Sequence, residues 1–198
     1  NTGIFMTSFV GIDLSWTGKY PSGLCVLVGD KKNVFCTKII AQQFTALELV
    51  EQINTLGEKI IVSVDAPLVT TERRQAEKLL NHLFRKAKAP AYPATPKILE
   101  KFNFHEGPKI AELLKKHEFE LDPQKILNGS KKKKIAFETY THAAHIRLFD
   151  IAERIPYKRR KGRSIVFIKN ELKKYQQHLL KILEQETPGI LDNKNVLS

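Results

Sequence analysis

A chain of 198 residues with 42% hydrophobic and 27% charged residues is an ordinary globular composition, long enough for one well-buried domain and short for two; collagen-like and disordered classes are excluded. No run approaches the roughly 20 apolar residues of a spanning helix, the N-terminal NTGIFMTSF lacks the basic and apolar regions of a secretory signal, and two cysteines are too few for a disulfide framework or a zinc site, so a cytoplasmic chain without membrane contact is expected. The formal charge of +12 is unevenly spread: between Lys109 and Lys181 stand 19 Lys and Arg against 8 Asp and Glu, which reads either as a surface attracting polyanions, nucleic acid above all, or as a solvated lysine-rich face.

Residues 1–5 precede the only methionine, Met6, and read as a cloning remnant, leaving 6–198 as a single domain. Residues 9–14 (FVGIDL) form a first strand pattern, with Phe9, Gly11 and Asp13 on one face and Val10, Ile12 and Leu14 on the other. Residues 22–28 and 34–40 are further strands joined by a turn at 29–33, and connections this short predict an antiparallel meander. Cys25 and Cys36 flank that turn and are expected as half-buried reduced thiols facing each other across it.

At residues 46–56 the period switches to that of a helix, with Thr45 as N-cap and Gly57 as the stop. The β-branched run 59–64 predicts a strand buried on both faces, ended by Asp65-Ala66-Pro67 because proline has no ladder donor. A second helix is expected over about 72–86, with Ala76, Leu79, Leu80, Leu83 and Phe84 inward, then a proline-rich loop over 87–96. A third helix (108–117), a turn (128–130), a short strand (135–140), a helix (142–149) and a long helix (165–183) carrying Ile168, Leu172, Tyr175, Leu179 and Leu183 complete the pattern. A meander joined through helices to parallel strands gives an α/β fold: a mixed sheet of ribonuclease-H-like type, flanked by helices and carrying a helical insertion.

Three carboxylates fall at strand ends among apolar neighbours: Asp13 in GIDLS, Asp65 in VSVDAP and Glu138 in IAFETY. Buried carboxylates are costly unless paired, hydrogen-bonded or bound to a cation. If strands one, four and five are parallel neighbours, the three converge at the carboxyl edge of the sheet, where open α/β sheets bind ligands. Oxygen-only donors suit Mg²⁺ or Mn²⁺, which activate water for phosphodiester cleavage. Taken singly, each acid has a plain structural reading: Asp13 a turn cap, Asp65 a loop initiator, Glu138 an ion pair to nearby lysines.

The segments GIDLSWTGKYPSG, VSVDAPL, Arg74-Gln75-Ala76-Glu77, Ala91-Tyr92-Pro93, FETYTHAA and IPYKRRKG, in this order over residues 9–163, resemble the family of nucleases catalogued as domain of unknown function 429, a branch of the ribonuclease-H-like superfamily. The resemblance implies a metal-dependent nuclease site formed by Asp13, Asp65 and Glu138, with Arg74 and Glu77 near the same cleft on the second helix. Read without it, Arg74 and Glu77 are an exposed intrahelical pair. The chain departs from the family pattern in having Thr141 where proline follows the E-x-Y, and in lacking the Asp-Ala-rich closing helix; Asp192, in the polar ILDNKN, is not assigned as a ligand.

His142 and His145 lie three apart after Glu138 and are either a base or ligand pair or ordinary helix histidines. Ser15 and Trp16 follow Asp13, where a hydroxyl and an aromatic would contact phosphate and base, unless the indole covers the core. Lys158, Arg159, Arg160, Lys161 and Arg163 pack five cations into seven residues of a loop that would clamp a phosphodiester backbone. A non-catalytic nucleic-acid-binding module of the same fold and a phosphometabolite-binding protein are the alternatives; oligomeric state is not legible.

Overall fold

The computed structural model describes residues 6–30, 33–72, 74–128 and 133–190. The proposed remnant at 1–5, parts of the turns at 29–33 and 128–130, and Asp192 lie outside them. Within the described residues the chain falls into two compact units: the first drawn from residues 6–74 and 93–139, the second from Gln75–Tyr92 and Tyr140–Ile190.

The first unit is an α/β layer. Strands β1 (Thr7–Asp13), β2 (Ser22–Gly29) and β3 (Val34–Gln42) form the expected antiparallel meander. Gly29 is required at its tip, since a Cβ there would lie 2.1 Å from the Asn33 carbonyl oxygen. Helix α1 (Ala46–Asn54) opens on Thr45 with a complete capping box: the Thr45 side chain accepts from the Glu48 N–H while the Glu48 carboxylate accepts from the Thr45 N–H. It carries the chain to β4 (Ile60–Val64), which pairs parallel with β1. After the helices comes β5 (Lys134–Glu138), parallel to β4, giving a five-stranded mixed sheet in the order β3-β2-β1-β4-β5.

One face of this sheet is the main core. Val10, Ile12, Leu24, Val26, Val62, Val64 and Ala136 pack with Leu49, Val50 and Ile53 of α1 and with Ile110, Ala111 and Leu114 of α4 (Glu106–Lys116). The opposite face alternates outward, so Ile61 and Ser63 of β4 are only half-buried, and the expectation of burial on both faces does not hold. Two helices were not expected. In α3 (Pro96–Phe102) the proline that reads as a loop residue occupies the first helical position behind Thr95, and α5 is the single turn Gln124–Leu127. Cys36 is buried and Cys25 half-buried; burial, together with the neighbouring Cys36 thiol and its hydrogen bond, pushes the Cys25 thiol up to about 12.

The second unit is helical: α2 (Ala76–Phe84), α6 (Thr141–Leu148) and α7 (Ile165–Glu186). On both longer helices the expected apolar stripe is covered only in part. On α2 Phe84 is buried and Leu80 half-buried as expected, whereas Ala76, Leu79 and Leu83 are exposed and Glu77 is buried. On α7 Ile168, Tyr175 and Leu183 are covered as expected, but Leu172 and Leu179 are exposed, and Glu171, His178 and Ile182 complete the covered stripe. Phe84, Ala87, Ala89, Ala143 and Ile146 form a small core. Beside it Phe149 stacks between His145 and His178, with ring centroids 5.4 and 5.3 Å away, and Tyr175 donates to or accepts from His145 Nε2 at 2.9 Å. His145 is therefore a packing residue.

Candidate active site at the ends of the parallel strands

The ladder decides which acids can meet. Ile12 is level with Val64, and Val64 with Glu138; beyond the strands the ladder continues through Asp65 N–H to the Ile12 carbonyl (2.8 Å) and Thr139 N–H to the Val64 carbonyl (2.8 Å). Asp13 and Asp65 therefore stand side by side at the carboxyl ends of adjacent parallel strands, about 4.8 Å apart in backbone spacing. Glu138 is one residue out of step. It is level with the core-facing Ile12 and Val64, and because side chains alternate along a strand, Asp13 starts from the other face of the sheet. All three strand ends are neighbours, as expected, but the three side chains do not leave the sheet in the same direction.

Glu138 has two partners of its own. Its carboxylate receives Arg74 in a fork, Nη2 to Oε1 at 2.5 Å and Nη1 to Oε2 at 3.2 Å, and also accepts the Leu68 N–H at 3.2 Å. Arg74 Nη1 donates to the Val69 carbonyl as well. The guanidinium is almost covered, its side chain 9% exposed, so this pair acts in a less watery setting than a surface ion pair. Glu138 thus ties the 66–69 segment to the end of β5. It pairs with Arg74, 64 residues earlier, rather than with the lysines beside it in sequence. Arg74 itself lies before α2 and not on it, because the helix begins at Ala76.

The segment after Asp65 is held from three sides. The Trp16 indole N–H donates to the Asp65 carbonyl at 3.0 Å, and the ring meets Phe104 edge-on at 5.1 Å. Ala66 and Leu68 are buried. Gly107, in the first turn of α4, has no room for a side chain, since a Cβ would lie 2.2 Å from the Pro67 carbonyl oxygen. Trp16 is therefore a fastener between the ends of β1 and β4 and part of the core margin. Ser15 accepts the Tyr20 N–H at 3.2 Å and its own N–H donates to Ser22, shaping the loop after Asp13. A cleft of about 250 Å³ opens there, lined by Asp13, Ser15, Trp16, Tyr20 and Phe104 among others. Asp13 itself is exposed.

Among the described residues no three of His, Cys, Asp and Glu are grouped so as to hold an ion. Mg²⁺ keeps much of its water and is commonly held by one or two carboxylates plus substrate phosphates, which asks of the protein only the neighbouring Asp13 and Asp65.

The remaining candidates belong to the second unit. Lys158, Arg159, Arg160 and Lys161 are exposed. Arg163 is turned inward, its Nη1 donating to the carbonyls of Pro156 and Lys158 at 2.9 Å each and so closing its own loop. His142 is half-buried, and burial, followed by the charges of Lys158, Arg154, His145 and Arg160, lowers its pKa to about 4. It is neutral near pH 7. Sequence reasoning missed the Arg74–Glu138 pair and the Gly107–Pro67 contact; both join residues far apart in the chain and leave no local pattern. No protein-family profile matches this chain, and no curated protein matches it in sequence.

Proposed function

We propose that this protein is a divalent-metal-dependent phosphodiesterase acting on nucleic acid, of ribonuclease-H-like arrangement, with Asp13 and Asp65 as the carboxylates that hold Mg²⁺ or Mn²⁺. The observation that supports this reading is the parallel register of β1 and β4, which puts Asp13 and Asp65 on adjacent strand ends, with Asp13 lining an open cleft. Such an ion, when bound, activates water and neutralises charge on the phosphoryl oxygens. Asp13 and Asp65 orient it; Glu138, fixed by Arg74, keeps the 66–69 segment in place and so acts as a positioning residue. Trp16 holds the Asp65 backbone against β1.

The test is Asp13→Asn in the full chain, assayed on single-stranded DNA and RNA with Mg²⁺ or Mn²⁺. The charge is removed at an exposed position, so the fold should survive while cleavage falls by roughly 100-fold or more. Wild-type cleavage by the variant overturns the assignment. The engagement of Glu138 by Arg74 favours a second reading, a nucleic-acid-binding module of the same fold without turnover. Binding that is steep in salt, indifferent to Mg²⁺ and unaccompanied by cleavage would establish that reading instead.

A further inference from the structure

The second unit holds 15 Lys and Arg against 6 Asp and Glu, a net +9, and its charge is organised around one feature. After α2 the chain turns back at Lys88, whose φ is +54°, and the following segment is pinned in place. The Asn81 side chain grips Ala91 like a strand neighbour, donating to its carbonyl at 3.0 Å and accepting its N–H at 2.8 Å. The Tyr140 hydroxyl donates to the Pro90 carbonyl at 2.8 Å, and the Arg154 N–H donates to the Ala87 carbonyl at 3.0 Å. Between this segment and α2 lies a cleft of about 700 Å³ lined by Asn81, His82, Arg85, Lys88, Pro90 and Arg154. Glu153 offsets Lys88 through an ion pair at 2.7 Å, which leaves Arg85 and Arg154 as its uncompensated arginines among the interactions the structure records. Two residues beyond Pro90, a step of at most about 7 Å, Tyr92 is 66% exposed with its hydroxyl 3.5 Å from Arg160.

We infer that this groove, formed by Arg85, Lys88 and Arg154 and continued by Tyr92 with Arg160, binds the backbone of single-stranded nucleic acid. Around this open cleft Arg85 and Lys88 are exposed and Arg154 is half-buried, so the cations border an open groove rather than an enclosed pocket. A small free anion gains little from exposed charges that water already solvates. A polyanion sums several such contacts and releases its counterions. An exposed aromatic flanked by arginine adds a platform on which any base can stack. The electropositive setting is felt by His142, whose proton is disfavoured by Arg154 and Arg160 after burial. The inference takes its ligand class from the function proposed above but concerns a different surface, and it is read without cleavage.

The probe is a fluorescein-labelled single-stranded oligonucleotide titrated with the full chain in EDTA, at several salt concentrations. Arg85→Gln with Arg154→Gln should weaken binding roughly 10-fold or more and flatten the slope of log K against log salt by about 1.4, two phosphate contacts on a single strand. Arg85→Gln alone, at an exposed position, should give about half that change in slope and guards against misfolding of the pair. Tyr92→Ala should weaken binding by about 5-fold or more with the slope unchanged, because stacking releases no counterions. Lys97→Gln with Lys101→Gln on α3 removes the same charge elsewhere and should do little. If the arginine pair matters no more than that lysine pair, or if the wild-type chain does not bind, the inference is overturned. Binding without cleavage in Mg²⁺ would leave the groove standing and remove the phosphodiesterase; cleavage undiminished by the arginine variants would do the reverse.

Discussion

The two units stabilise themselves in different ways. In the first, an aliphatic core is sealed between one sheet face and two helices, and the acids of interest are positioned by backbone ladder, so their placement follows from register. The second has a small core, several of its histidines and tyrosines stacked together, and most of the net charge of the chain, +9 against +3 elsewhere. Position in the first unit is a matter of pairing geometry; in the second, charge density is a matter of composition displayed on loops and a helix. The first should therefore tolerate change poorly at buried sites, and the second should tolerate most changes to its surface.

The largest effect is expected from the core. Leu114, fully buried on α4, should cost about 3 kcal/mol when replaced by alanine, through lost burial and the cavity left behind. Leu179→Ala on α7, where the side chain is 37% exposed, should cost less than about 1 kcal/mol. Denaturant melts of the two variants make the comparison directly, and equal losses would mean that α7 is packed as tightly as α4.

A smaller effect is expected at the strand ends. A double-mutant cycle with Arg74→Gln and Glu138→Gln should return a coupling of about 1–2 kcal/mol, since the pair is forked and its guanidinium largely covered. Either single variant should cost more than the pair's net worth, because it strands the other charge in a partly desolvated place. A coupling near zero would reduce the pair to an ordinary surface contact and remove the positioning role given to Glu138.

How much of this was legible beforehand follows the range of the interactions involved. The mixture of antiparallel and parallel pairing was readable because short connections force antiparallel pairing and a helix between strands permits a parallel one. The Thr45 cap was readable because its box closes within four residues. The start of α3 left a usable signal, Thr95 before Pro96, which the density of prolines in 87–96 obscured. The faces of α2 and α7 are legible in part: Phe84, Ile168, Tyr175 and Leu183 are covered as their spacing predicts, but Glu77, Glu171 and His178 join the covered side while the leucines at 79, 83, 172 and 179 are exposed. Asp13 and Asp65 were recognisable as strand-end acids; that Glu138 is out of step with Asp13 depends on a register that only pairing fixes.

The smallest expected effect separates the units by pH. His142 has a folded-state pKa lowered from 6.5 to about 4, by burial first and then by Lys158, Arg154, His145 and Arg160. Between those values the unfolded chain takes up a proton that the folded chain refuses, so stability falls as pH drops through that window and is flat with respect to this group above it. Water screens a half-buried site, which holds the loss to the order of 1 kcal/mol. His142→Gln should remove this portion of the slope. The low carboxyls of Glu48 and Glu58, held down by Thr45 and Lys133, also lose their contribution as pH falls, but they lie in the first unit and act equally in wild type and variant. The same histidine reports on the groove. A bound strand that neutralises Arg154 and Arg160 removes two of the charges opposing its proton, so its pKa, followed by NMR, should rise on adding oligonucleotide and stay put on adding the same concentration of a neutral sugar. Burial, the larger cause, is untouched by either, so the rise should stop short of 6.5.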